Sequence, residues 1–254
     1  SMTDELRNLI KKYQNIKEVY FEVETIGANL EFGINLCSEL EKFNNKLQRK
    51  ISFGINLRII PKRNFEPLFL SMKKANFEFV NIGIESGSKR IRKDILKRDY
   101  SNNDIIKNIR LAKLYGLKIN TYNLIGLPEE TLEDIKKTID INRKCLPNIL
   151  QLSIFFPYPG TDLYDICKKK GLLKNQQDVQ IERSRVSLNL EYLSKKQVRK
   201  QYIWFNFNTY RGYRPLPILL FKLIIKKLNY NLYINRLLRR ILAYKFTIWF
   251  KAGI

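Results

Sequence analysis

The sequence predicts an α/β fold: a parallel, barrel-type sheet of about five strands followed by a C-terminal helical extension. Three observations carry this. From about residue 4 to 165, short β-branched or aromatic runs alternate with amphipathic helical stretches, the pattern of right-handed βαβ crossovers. Turns bearing Gly27, Gly87 and Gly126 follow several of the strand runs, at the strand ends where ligands of such barrels collect. For any single one of these glycines, a tight turn is the better reading. Finally, the composition breaks: residues 192–254 hold fourteen Lys/Arg, fourteen aromatics and no Asp or Glu, which is +14 of the total +23. Barrel and tail are therefore separate problems.

The elements follow in order. Residues 6–13 have a helical pattern and 17–22 (KEVYFE) a strand pattern. Residues 29–45 place Leu30, Ile34, Cys37, Leu40 and Phe43 at the spacing of one buried helical face. A strand at 51–56 and a helix at 65–74 come next, then a strand at 77–84 (FEFVNIGI) and a helix near 88–97. Ser101 is a plausible N-cap for a helix over 103–115. Residues 118–124 form a strand, 129–144 a helix, 149–156 a strand, and 161–170 a helix ended by Gly171. In the tail, Pro215 and Pro217 divide a helix at about 195–210 from two more, at 218–229 and 232–250.

Composition excludes several chemistries. There is no histidine, so His-based nucleophilic mechanisms and His-ligated zinc are absent. The three cysteines, Cys37, Cys145 and Cys167, are more than ten residues apart; an isolated cysteine is most often a small buried hydrophobe. No G-x-G-x-x-G or G-K-[ST] loop supports dinucleotide or P-loop binding. Residues 3–15 are charged, without the apolar core of a secretory signal. No uninterrupted apolar run approaches the roughly 18 residues that span a bilayer. The expectation is a cytoplasmic protein, with a membrane-peripheral tail as the variant.

Five stretches in register then point to one family. Residues 21–26 (FEVETI) stand where it has F-x-D-D-x-F, and 51–58 (ISFGINLR) resemble its I-x-W-x-x-N-x-R strand. Residues 83–88 (GIESGS) reproduce its G-I-E-S-G-S, 125–131 (IGLPEET) resemble I-G-L-P-G-E-T, and 157–161 (PYPGT) are its P-Y-P-G-T. The chain thus resembles the radical S-adenosylmethionine enzymes, and among them the cobalamin-binding subgroup. The resemblance implies S-adenosylmethionine as cofactor, and Glu24, Asn56, Arg58, Glu85, Ser86 and Gly126 as its contacts. Arg58 offers a fork-shaped donor to a carboxylate, or else pairs with a neighbouring helix. Glu85 or Glu24 offers an acceptor to an amino or hydroxyl group; for Glu85 a turn or cap bond is the alternative. Gly126 permits close approach of adenine.

The departures are equally informative. Val23-Glu24 replaces the adjacent aspartates of the first motif, and valine accepts no hydrogen bond. Glu129 stands where the loop motif has glycine, which a helix N-terminus would favour. No C-x-x-x-C-x-x-C loop is present; in the family its thiolates hold a [4Fe–4S] cluster. The expectation is an incomplete (β/α) barrel over 3–165, lacking its first βα unit, and a basic, aromatic-rich helical extension over 166–254. By resemblance the complete reaction is methyl transfer to, or rearrangement at, an unactivated carbon. Cobalamin and the cluster are expected of the family without ligands in this chain, which alone is expected to be catalytically incomplete. A non-enzymatic membrane-peripheral or partner-binding protein on a retired or split barrel is the alternative.

Two partner questions follow. The strand at 17–22 is a parallel edge, and such edges are usually covered; the C-terminal region, a dimer mate or a missing N-terminal half would do so. For 192–254, one reading is that apolar faces cap the barrel while the bases are solvated. Another is an anionic membrane surface, and a weaker one single-stranded nucleic acid. Lys222, Lys226 and Lys227 are expected on one side of their helix, and Arg236, Arg239 and Arg240 on the apolar face of the last. The loosely matched Tyr213-Arg214-Pro215 of the subgroup suits the first two readings.

Overall fold

The computed structural model describes residues 2–13, 15–23, 26–173 and 185–230. Strands β1 (Glu18–Phe21), β2 (Ser52–Leu57), β3 (Phe77–Glu85), β4 (Lys118–Ile125) and β5 (Ile149–Ile154) pair in parallel, in sequence order. Sequential order with right-handed crossovers puts every connecting helix on one face of the sheet. Helices α2 (Leu30–Asn44), α3 (Glu66–Lys74), α4 (Asn102–Leu114) and α5 (Leu132–Cys145) pack side by side along it, and α1 (Met2–Lys12) rests on α2. The result is a half-barrel, convex outside and concave inside.

The convex side is the core. Cys37, Leu40 and Phe43 from α2, Leu68, Phe69 and Met72 from α3, and Ile105 and Ile109 from α4 bury against Ile55, Leu57, Val80, Ile82 and Ile119. Strands covered by helices read as apolar runs for this reason. Ser101 caps α4 through a reciprocal box with Asp104, as its sequence position suggests.

Two boundaries differ from expectation, each for a local reason. The helix near 88–97 is a single π-helical segment, Ile91–Ile95, in which the Leu96 N–H donates to the Ile91 carbonyl at 3.0 Å. Its Arg92 is buried and donates to the Ser86 carbonyl. Helix α5 begins at Leu132 rather than 129, because Thr131 is the N-cap, boxed with Asp134. Glu129 is thereby left in the loop at φ 60, the left-handed region that favours glycine. The helix-dipole account of Glu129 fails: the side chain instead pairs with Lys170 at 2.6 Å and Arg90 at 3.7 Å.

Beyond β5 come α6 (Asp162–Lys169), α7 (Lys195–Tyr210) and α8 (Leu216–Tyr230). Val198 and Phe205 of α7 join Ile135, Ile139, Leu152 and Ile154 in a second apolar cluster. Arg143 caps the end of α7, donating to the carbonyls of Asn208 (2.7 Å), Thr209 (3.2 Å) and Arg211 (3.1 Å). Arg214 bonds the Asn148 carbonyl at 3.0 Å and lies 3.7 Å from the centre of the Tyr210 ring. Among the described residues, then, the C-terminal helices cover the β5 end of the sheet and leave the outer edge of β1 unpaired. The expected helix over 232–250, with Arg236, Arg239 and Arg240, lies outside the described residues. No described helix is long and apolar enough to cross a membrane.

Candidate cofactor site

Parallel register sets inward-facing side chains of adjacent strands level with one another. One row aligns Tyr20, Gly54 and Phe79. The Phe79 ring fills the space over Gly54, where a Cβ would lie 2.0 Å from its Cζ, and Tyr20 stacks on Phe79 at 6.0 Å. The next row aligns Asn56, Asn81 and Asn120. Asn120 Nδ2 donates to Asn81 Oδ1 (2.9 Å), Asn81 Nδ2 to Asn56 Oδ1 (3.0 Å), and the Tyr20 hydroxyl also to Asn56 Oδ1 (2.6 Å). A polar ladder thus crosses four strands. It leaves Asn56 Nδ2 as a donor without a hydrogen-bond partner among the described residues.

Above the ladder, at the C-terminal ends of β2 and β3, lies a small cleft open to solvent, lined by Asn56, Arg58, Asn81, Glu85, Arg98, Tyr100 and Tyr122. Glu85 ends β3 at φ 61, beside a shift in the β3/β4 register. Its carboxylate folds over Gly83, where a Cβ would sit 2.4 Å from Oε1; that glycine makes room for it. The Tyr100 hydroxyl donates to the Gly83 carbonyl at 3.0 Å, and burial, together with the Glu85 charge, pushes its pKa up to about 12. Burial likewise raises Tyr122. Both phenols therefore stay protonated at neutral pH, as hydrogen-bonding groups rather than bases.

Of the residues singled out in the sequence, Asn56, Arg58 and Glu85 meet in this cavity. Ser86 does not line it. Fully buried, its hydroxyl accepts from the Ser88 N–H (3.2 Å) and lies 3.3 Å from Thr138 Oγ1, fastening the loop after β3 to α5. Gly87 completes that fastening: a Cβ there would lie 2.1 Å from the Lys137 carbonyl oxygen, and its N–H donates to Thr138 Oγ1 at 2.8 Å. Gly126 lies away from the cavity as well. At φ 77 it turns the chain after β4, and its N–H donates to Glu130 Oε2 at 2.6 Å. Val23 is exposed at the end of β1, and Glu24 lies outside the described residues.

Two buried acids hold these loops. Asp134 accepts from Ser88 (2.6 Å), Arg90 (2.7 Å) and Thr131 (2.8 Å); burial opposes its charge, but these bonds hold its pKa below the ordinary range. Among the described residues, no Lys or Arg forms an ion pair with Glu130. Burial pushes it up to about 8 against the N–H donors of Gly126 and Leu127, so it is largely protonated at neutral pH.

Asn81, Asn120, Tyr20, Tyr100, Tyr122 and Arg98 were missed by sequence reasoning. A signal was present: Ile55-Asn56, Val80-Asn81 and Ile119-Asn120 repeat an apolar-Asn step at matching points of three strands. Tyr100 and Arg98 arrive from a loop and carry no such mark.

An amino acid head group is the species this set fits. Arg58, Arg98 and Asn56 Nδ2 present donors to a carboxylate, and Glu85 presents an acceptor to an ammonium or hydroxyl group. The cysteines, by contrast, do not fit an iron–sulfur cluster. Cys37 and Cys145 sit in the convex core and Cys167 in a third apolar cluster, and burial pushes their thiols up to about 12, 11 and 11. Among the described residues, no cluster of His, Cys, Asp or Glu is placed to hold a metal ion.

A parallel half-barrel with a polar site at its strand C-terminal ends defines the class, that of partial (β/α) barrels. The chain belongs to the radical SAM superfamily, whose profile matches residues 2–141. It is 27% identical over 206 residues to an uncharacterized methyltransferase of Pyrococcus horikoshii, covering 80% of this chain and 43% of that one. It is 26% identical over 209 residues to tRNA-2-methylthio-N(6)-dimethylallyladenosine synthase of Thermotoga petrophila, covering 78% of this chain and 44% of that one. The chain thus spans less than half the length of these relatives. In fold it is similar to the cobalamin-dependent S-adenosylmethionine radical enzyme OxsB (TM-score 0.58, 17% identity, 90% of this chain and 41% of that one). It is also similar to the radical S-adenosylmethionine methyltransferase TsrM of Kitasatospora setae (TM-score 0.56, 19% identity, 69% and 36%).

Proposed function

We propose that this chain is the cofactor-holding half of a cobalamin-type radical S-adenosylmethionine enzyme, and that it forms no catalytic cluster by itself. The observation carrying this is the cavity in which Asn56, Arg58 and Glu85 converge over the asparagine ladder. Arg58 and Asn56 would hold the carboxylate of S-adenosylmethionine and Glu85 its amino group or a ribose hydroxyl. Tyr100, locked on the Gly83 carbonyl, would fix the wall beside them. When bound beside an iron–sulfur cluster, S-adenosylmethionine supplies the oxidising equivalent for attack on an unactivated carbon. The overall reaction is methyl transfer or rearrangement, in keeping with the methyltransferases and methylthiotransferase among the similar proteins.

The thiolates, and any cobalamin-binding part, would come from residues outside this sequence. The unpaired outer edge of β1 is where a further parallel strand would add, from an N-terminal half or a dimer mate. The alternative, a retired barrel acting only in binding partners, keeps the fold and loses the cofactor.

Isothermal titration with S-adenosylmethionine separates the two. The expected outcome is saturable binding that Arg58→Ala and Glu85→Gln each weaken about tenfold, the value of one charge-assisted bond. No binding by the unaltered chain would sink the cofactor-half reading. Anaerobic reconstitution with iron and sulfide should give no four-iron absorption or EPR signal on this chain alone; a cluster that cleaves S-adenosylmethionine would overturn the division of labour.

A further inference from the structure

We infer that α8 is a docking surface for an anionic phospholipid bilayer, lying in the plane of the interface. At about 100° per residue, Ile218, Leu220, Phe221, Ile224, Ile225 and Leu228 fill one sector of about 160°, and every one of them is exposed, Phe221 at 64% and Ile224 at 56%. The opposite side holds Leu219 and Leu223, which are buried, and Lys226, which lies 4.1 Å from the centre of the Tyr202 ring. Lys222 and Lys227, both exposed, flank the apolar sector: about 220° separates them across it and about 140° around the opposite side, where Lys226 lies between them. The three lysines thus share one arc of the helix, as expected, with Lys226 at its middle turned inward onto Tyr202 and the other two at its ends bracketing the outward apolar face.

A helix of a water-soluble domain normally directs its apolar stripe inward. Here a second apolar stripe points outward, and nothing among the described residues covers it. The charges select the occupant. Residues 192–254 contain no Asp or Glu. A second copy seated on this face through a twofold axis would bring lysine rims against lysine rims. Residues 231–254 carry five more Lys/Arg and no acid, so they offer the rims no counter-charge either. An anionic bilayer supplies both requirements at once, hydrocarbon for the apolar sector and phosphate for its lysine rims. No described helix is long and apolar enough to cross a membrane, which leaves an in-plane geometry.

Flotation of the chain with phosphatidylcholine vesicles, with and without phosphatidylglycerol, tests this at low and high salt. The expected result is binding that requires phosphatidylglycerol and weakens as salt rises. The double substitution Lys222→Gln/Lys227→Gln should lower it by about tenfold or more, since each basic residue near such a surface contributes about fivefold. Phe221→Ser/Ile225→Ser should abolish binding with circular dichroism unchanged, because both side chains are exposed. Absence of binding, or binding indifferent to Phe221 and Ile225, would overturn the proposal. So would a concentration-dependent dimer, read by light scattering, that dissociates in the Phe221→Ser/Ile225→Ser variant, because the face would then belong to a second copy.

Discussion

The two ends of the sheet solve opposite problems. At the top of β2 and β3, polar groups are drawn inward and many answer one another: asparagine by asparagine, Tyr100 by a backbone carbonyl, Ser88 and Arg90 by Asp134. Beyond β5, cations outnumber anything that could answer them. The structure uses some of these by laying them on aromatic rings, as with Arg214 on Tyr210 and Lys226 on Tyr202. In the first region the contacts are made within the chain, among polar groups that bond one another. The second presents an apolar face outward, and its contacts lie in whatever it meets. Net charge alone does not distinguish a solvated basic surface from a docking one; the placement of apolar side chains between the charges does.

That contrast can be broken or sharpened by substitution. The largest effect is expected at Gly87, where any Cβ meets the α5 backbone. Gly87→Val should cost about 3 kcal/mol or more in urea unfolding, and a neutral result would mean that the loop after β3 is not clamped to α5. Next comes Glu130. Its carboxyl keeps a proton in the folded chain up to about pH 8, whereas unfolded it titrates near 4.5. The folded state binds the extra proton between those values, so stability is fullest below pH 4.5 and falls as pH rises through 8. Glu130→Gln should remove that decline and gain about 2–3 kcal/mol at pH 8.5 relative to the unaltered chain. Melting curves at pH 5.5 and 8.5 will report it; parallel shifts in both proteins would refute the assignment.

Asn81→Ala should cost about 2 kcal/mol, by removing its bonds to Asn56 and Asn120 on either side. It should also weaken S-adenosylmethionine binding, a readout that simple loss of packing elsewhere does not move. The smallest effect belongs to the other region. Phe221→Ser on the outer face of α8 should change stability by less than about 0.5 kcal/mol in the absence of lipid. A large loss there would show that the face is already covered.

How much was legible in the sequence follows from the same physics. Strand and helix order could be read because covered parallel strands are apolar runs and the connecting helices are amphipathic. Arg58, Glu85 and Asn56 were reached through motifs. Ser86 and Gly126 belong to the same motifs and lie outside the cavity's lining, where Ser86 ties the end of β3 to α5 and Gly126 turns the chain onto Glu130. A motif records that a residue type is needed at a place, without separating contact from support. The ladder partners were hidden because pairing is a property of register between strands far apart in sequence. Lys226 departs from the reading in which the tail's bases are simply solvated, because its ammonium lies over the Tyr202 ring.

The asparagine ladder has a further consequence, for how the chain finds its fold. Parallel strands are joined only through long crossovers, so nothing local sets their relative alignment, and such pairings form slowly. Because side chains alternate, a slip of one residue in β3 would carry Asn81 to the convex side among the isoleucines and bring an apolar neighbour into the row of amides. A third amide buried among apolar side chains, and the lost bonds to its neighbours, would penalise such a slip, while the right alignment closes the row from Tyr20 to Asn120. The same amides that floor the cavity therefore act as alignment marks, rejecting misthreaded sheets before any ligand arrives.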